Sequence, residues 1–166
     1  MNMLDKGCNE INGPTWRNLR KLFDEANISL HDCFFSNVFI GLRKSERMTG
    51  RFPGLKDKTF VNRNTMFLEF QIETIKPKLI ITLGRQSSDL LSSFIEDLSH
   101  WRNGKALSAP DIGYAENVSI NNHNCTCIAL EHPSMRNSNI RRRKYKDFIG
   151  NEAEVQMLRR WGEPIE

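Results

Sequence analysis

The run KLIITLGRQSSDLLSSF, residues 78–94, changes character at one glycine. KLIITLG, 78–84, is short, apolar and β-branched, as suits a strand buried on both faces. After Gly84 the polar Arg85, Gln86 and Ser87 open a stretch in which Leu90, Leu91, Phe94 and Leu98 recur at helical spacing. Strand, glycine turn and helix form one unit of an α/β architecture, and the rest of the chain repeats the alternation. Upstream, PTWRNLRKLFDEANI (14–28) spaces Trp16, Leu19, Leu22 and Phe23 as an amphipathic helix, with Pro14 in its first turn and Asn27 as a stop. CFFSNVFIGL (33–42) then reads as a buried strand carrying Asn37. FVNRNTMFLEFQIETIK (60–76) places Met66, Phe67, Phe70 and Ile75 on one side of a helix that must end before Pro77.

Downstream, SAPDIG (108–113) is a turn region and NVSI (117–120) a short edge strand. CTCIAL (125–130) is a third buried strand, stopped by His132 and Pro133 because proline cannot donate to a ladder. NIRRRKYKDFIGNEAEVQMLRRW (139–161) suggests a basic helix broken at Gly150, with Phe148, Val155 and Leu158 in the core. The expected fold is therefore α/β, a three-layer α/β/α sandwich around a short, mostly parallel central sheet. Residues 13–162 make its single domain, with tails at 1–12 and 163–166. Ligands of such folds gather at the carboxyl ends of the strands, where Asn37, Gly84 to Ser87 and His132 to Ser134 all fall.

Composition bounds the partners. The 166 residues, 39% of them hydrophobic, suffice for one real core. Lys and Arg number 24 against 20 Asp and Glu, a net charge of +4 that favours an anionic partner, with nucleic acid first. RKSERMTGRFPGLKDK (43–58) reads as a basic loop, either simply solvated or touching nucleic acid. The four cysteines follow no C-x2-C spacing, and no signal peptide or bilayer-length apolar run is visible, so an intracellular, cytoplasmic protein without a membrane is expected. Cys125 and Cys127 would share one face of a strand as reduced core residues, and neither a metal nor a cofactor is assigned.

From about Gly13 to Lys146 the segments GPTWRNLRKLFDEANISLHDCFFSNVF, IETIKPKLIITLGRQSSDLL and ALEHPSMRN, in this order, resemble the uracil-DNA glycosylase superfamily, especially its smaller bacterial members. The resemblance implies a protein that flips a deaminated base out of DNA and hydrolyses its N-glycosidic bond in base-excision repair, acting as a monomer. It implies that Asn37 pairs with the uracil edge, an amide being donor and acceptor at once. His132 would stabilise negative charge on the leaving base. Phe35 or Trp16 would stack on that base. Pro133, Ser134, Met135 and Arg136 would press on the backbone, with Met135 or Arg136 as the wedge. Gly84, Arg85, Gln86 and Ser87 would hold a phosphate at a helix start, and Arg141, Arg142, Arg143, Lys144 and Lys146 would attract DNA without reading sequence.

One family element has no counterpart. The family opens with a strand and a Gly-Pro loop bearing a water-positioning Asp or Asn, whereas MNMLDKGCNEIN (1–12) holds no apolar run. Three readings follow: a start upstream of Met1, an intact relative using another carboxylate such as Asp5 or Glu10, or a truncated or degenerate relative that binds DNA, a nucleotide or a protein without chemistry. A Rossmann-like nucleotide domain is weaker, since no G-x-G-x-x-G follows a strand.

Overall fold

The structure, a computed structural model, describes residues 13–41 and 52–162. Asp5, Glu10, Cys8, both expected tails and most of the basic loop lie outside the described residues. The elements in chain order are α1 (Pro14–Glu25), α2 (Lys58–Ile75), β1 (Leu79–Leu83), α3 (Arg85–Phe94) and α4 (Lys105–Ser108). They continue with β2 (Tyr114–Ile120), β3 (His123–Leu130), α5 (Arg136–Asn139), β4 (Lys144–Tyr145), β5 (Phe148–Ile149) and α6 (Asn151–Gly162). The main sheet has the order β1-β3-β2. β1 runs parallel to β3, from Leu79 opposite Thr126 to Leu83 opposite Leu130. β2 is antiparallel, with a bulge between Ala115 and Val118, so the sheet is mixed.

Alternation along β3 builds the two cores. Cys125, Cys127 and Ala129 pack with Ile72 of α2, Leu91 of α3, Leu98 and Trp101. Ile128 and Leu130 turn to the other face and meet Leu19, Leu22 and Phe23 of α1 with Val155 and Leu158 of α6. The result is the α/β sandwich of three layers that the alternating elements imply. Two long-range contacts tie the first helix to the last. Asn151 Nδ2 donates to Glu25 Oε2 at 2.6 Å, and Arg159 donates to the Glu25 carbonyl at 2.9 Å.

Three expectations need correction. Residues 33–41 form no strand. A strand is defined by its ladder, and this extended strip has no paired neighbour among the described residues. Side-chain bonds hold it instead, Ser36 to Gln71 at 3.0 Å and the Ile40 N–H to Asn64 Oδ1 at 2.6 Å. On α2, Met66, Phe67, Phe70 and Ile75 are exposed, and the inward row is Phe60, Asn64, Leu68 and Ile72, spaced i, i+4. Apolar residues surround that helix, so periodicity alone could not choose the face. The long basic helix is broken into short turns and the β4–β5 hairpin before Gly150, whose φ of +69° ends the hairpin and starts α6. Phe148 lies exposed on that hairpin, while Val155 and Leu158 are core residues as expected.

The edge of β1 away from β3 is open among the described residues. The Lys78 carbonyl accepts from Thr126 N–H and the Gly84 N–H donates to Leu130, so even-numbered residues aim at β3. The side chains of Leu79, Ile81 and Leu83 pack on the core shared by α1 and α6, and it is their backbone N–H and C=O groups that therefore aim the other way. They face a hollow of about 1910 Å³, walled on its far side by Phe34 to Phe39.

Candidate active site

β3 ends at Leu130, and the chain turns at once through Pro133–Met135. His132 caps that turn, its Nδ1 accepting from the Ser134 N–H at 3.3 Å with Ser134 Oγ at 2.7 Å. A backbone N–H can only donate, so Nδ1 is the acceptor and a neutral ring carries its proton on Nε2. The ring is open to solvent on one side, yet burial of the remainder lowers its pKa below the ordinary histidine value. His132 is thus a neutral N–H donor at neutral pH.

The end of β1 meets this loop directly. Gly84 has φ +83°, and a Cβ there would stand 3.0 Å from the Cβ of His132, so glycine is required both for conformation and for space. The turn it makes starts α3, whose first three N–H groups, on Arg85, Gln86 and Ser87, have no side-chain cap. Ser87 Oγ donates back to the Leu83 and Gly84 carbonyls, at 2.7 and 2.9 Å. Arg85 pairs with Asp89 at 3.1 Å, and Asp89 also accepts the Gly104 N–H at 2.7 Å. What α3 offers the hollow is a set of backbone donors and a helix dipole.

Asn37 and Phe35 line the same hollow from the opposite wall. Asn37 is exposed, and its side chain has no hydrogen-bond partner among the described residues. Phe35 sets its ring edge-on to Trp16, with centroids 5.1 Å apart. Met135, 53% exposed, projects at the rim beside Ser134, and Arg141 and Arg142 are exposed next along the chain.

Three residues expected to face DNA do not. Pro133 is buried, its carbonyl accepting from Asn18 of α1 at 2.7 Å. Arg136 is 7% exposed and Arg143 1% exposed. Arg136 donates to Glu154 Oε2 and, at 2.6 Å, to Asn151. Arg143 donates to the Ala106 and Ala129 carbonyls, each at 2.6 Å. Both guanidiniums are committed to internal acceptors, which leaves Met135 as the wedge candidate. Their shared partner Glu154 is fully buried in α6 and was not singled out in the sequence. Its signal was present: a carboxylate four residues before the core residue Leu158, on a helix face otherwise apolar.

The family model of the uracil DNA glycosylase superfamily matches residues 12–154. The chain belongs to the uracil DNA glycosylase superfamily. No curated protein matches it. The superfamily match runs from the start of α1 into α6 and so takes in every candidate residue above. No helix among the described residues is long and apolar enough to cross a membrane.

Proposed function

We propose that this chain binds DNA as a monomer, turns a uracil or other deaminated base into the hollow between Asn37 and His132, and hydrolyses its N-glycosidic bond. Asn37, its amide unclaimed by the described residues, pairs with the base edge. As the C1′–N bond breaks, its electron pair moves onto the base, and the Nε2–H of His132 donates to the carbonyl oxygen that takes up the charge. Water oxygen bonds to C1′, and the proton it releases ends on the departing base. A phosphate sits on the free N–H groups of Arg85, Gln86 and Ser87, Arg141 and Arg142 add attraction to the backbone, and Met135 fills the gap left in the stack.

The observation that carries this reading is the contact of His132 with the uncapped start of α3, at the mouth of the hollow that Asn37 also lines. Uracil release from labelled single- and double-stranded oligonucleotides tests it. Release is expected, with His132→Ala lowering it by more than about tenfold while salt-sensitive DNA binding persists. A folded chain that binds DNA without releasing uracil refutes the hydrolytic part.

A second reading, base binding without cleavage, is favoured by one feature. Of the described residues lining the hollow, only Asp32 and Glu131 carry carboxylates, and Glu131 already accepts from Asn139 at 3.3 Å. If Asp32→Asn and Glu131→Gln leave measurable excision unchanged, neither positions the water. If no excision exists to lose, the binding reading stands.

A further inference from the structure

We infer that Glu154, from inside α6, is the positioning residue that holds the His132 loop and selects the Nε2–H form of its ring. The inference rests on His132 being the group that meets the base, but the geometry behind it is independent of any reaction.

The loop leaves β3 at Glu131 and ends at Arg136, and Glu154 grips both ends. Oε1 accepts the backbone N–H of Glu131 at 2.7 Å, immediately before His132. Oε2 accepts from the Arg136 guanidinium, immediately after Met135. Arg136 is fixed a second time by Asn151 Oδ1, and Asn151 is anchored on Glu25 of α1. Arg143 brings its Nε to 3.6 Å from Glu154 Oε1 while donating to Ala129, one residue before the end of β3. The carboxylate therefore spans the six residues 131–136 at their two ends.

A fixed span dictates the turn between its ends. With Glu131 and Arg136 held, the turn closes through the Met135 N–H on the His132 carbonyl with the Ser134 N–H pointing back at Nδ1, and an acceptor Nδ1 leaves the proton on Nε2. Burial holds the Glu154 carboxyl above the ordinary carboxylate range, and the Arg136 and Arg143 charges offset part of that rise. Merely filling the core would not require a charged group here, since an apolar side chain of similar volume usually serves stability as well or better. Gripping a backbone N–H and a guanidinium at once requires a carboxylate.

The test is the protonation pattern of the His132 ring, read from long-range proton–nitrogen correlation spectra of the full chain. Only four histidines are present, and His123, bonded to the Pro77 carbonyl at 2.7 Å away from the loop, is an internal reference. Wild-type His132 is expected in the Nε2–H form alone. Glu154→Gln, Arg136→Lys and Asn151→Ala are expected to give a mixture of tautomers and a His132 titration midpoint nearer the ordinary value, with His123 unmoved. Asn151 is exposed, so its variant folds even if Glu154→Gln does not. Folded Arg136→Lys and Asn151→Ala proteins with wild-type His132 spectra would overturn the inference. Where wild type releases uracil, kcat of these variants falls and KM moves little. Where it releases none, the proposed activity fails while the spectra still decide the role of Glu154.

Discussion

Replacing Gly113 by alanine probes how rigidly Arg143 is seated. Gly113 lies just before β2 and has no positive φ, so alanine brings no backbone strain. The difficulty is space: an added Cβ would overlap the Arg143 guanidinium and the Ala106 carbonyl. Arg143 cannot step aside without losing its two bonds of 2.6 Å, to Ala106 and Ala129. A hydrogen bond to a charged group is worth about 1.5–3 kcal/mol, and overpacking costs about 1–3 kcal/mol. Partial relaxation keeps the total near the ~3–5 kcal/mol typical of breaking a buried charged pair. Against an ordinary stability of about 5–15 kcal/mol, that is a large share. Urea unfolding followed by tryptophan fluorescence, to which the fully buried Trp101 contributes together with Trp16 and Trp161, with circular dichroism beside it, measures the loss. In an Arg143→Met background the same substitution should cost at least about 1 kcal/mol less, because the guanidinium part of the clash is gone. A Gly113→Ala protein within about 1 kcal/mol of wild type would refute the claim that Arg143 is locked.

Three further outcomes are expected. His132 has a folded-state pKa below its unfolded value of about 6.5, so folding favours the neutral ring. Its contribution to stability is complete above about pH 6.5 and is lost as pH falls through the lower folded-state value. The His132→Ala protein should lack this component in stability measured against pH, and excision should fall over the same acidic range. Asp57 caps α2 by accepting the N–H groups of Thr59 and Phe60 at 2.9 and 3.1 Å, so Asp57→Ala should cost about 1 kcal/mol in the same urea assay. Changing Arg141 and Arg142 together to Gln should flatten the salt dependence of duplex binding by about 1.8 in log–log slope, uniformly across sequences, and an unchanged slope would remove both from the DNA face.

Local pattern carried the reading wherever one element's own residues determine its state. β1, the Gly84 turn and α3 were legible because apolar run, glycine and helical spacing are all local signals. β3 and its stop at His132 and Pro133 were legible for the same reason. Residues 33–41 were not, since strand formation belongs to a pair and one partner's sequence cannot reveal the other's absence. Within the site, His132, Gly84 and Asn37 line one hollow, but Asn37 reaches it from a strip unpaired among the described residues and not from the strand end expected of it. Arg136 and Arg143 misled because a cation in sequence looks solvated unless its buried counter-ion is known. That counter-ion, Glu154, lies 18 residues beyond Arg136 on another element, a distance no helical or strand period spans.

The bond from Glu25 to Asn151 also sets a schedule for synthesis. The two residues are 126 apart in the chain. At about 5–20 residues per second, α1 leaves the ribosome roughly 6–25 s before the helix that receives it. Through that interval Leu19, Leu22 and Phe23 have no α6 to pack against, although all three are buried in the finished fold. The seating of the His132 loop waits for the same helix but more briefly, since Glu131 and Glu154 are 23 residues apart, about 1–5 s of synthesis. The nascent chain thus carries the uncovered apolar face of an amphipathic helix, and later an unset loop, until α6 arrives, and in that interval it is most open to chaperones and to self-association.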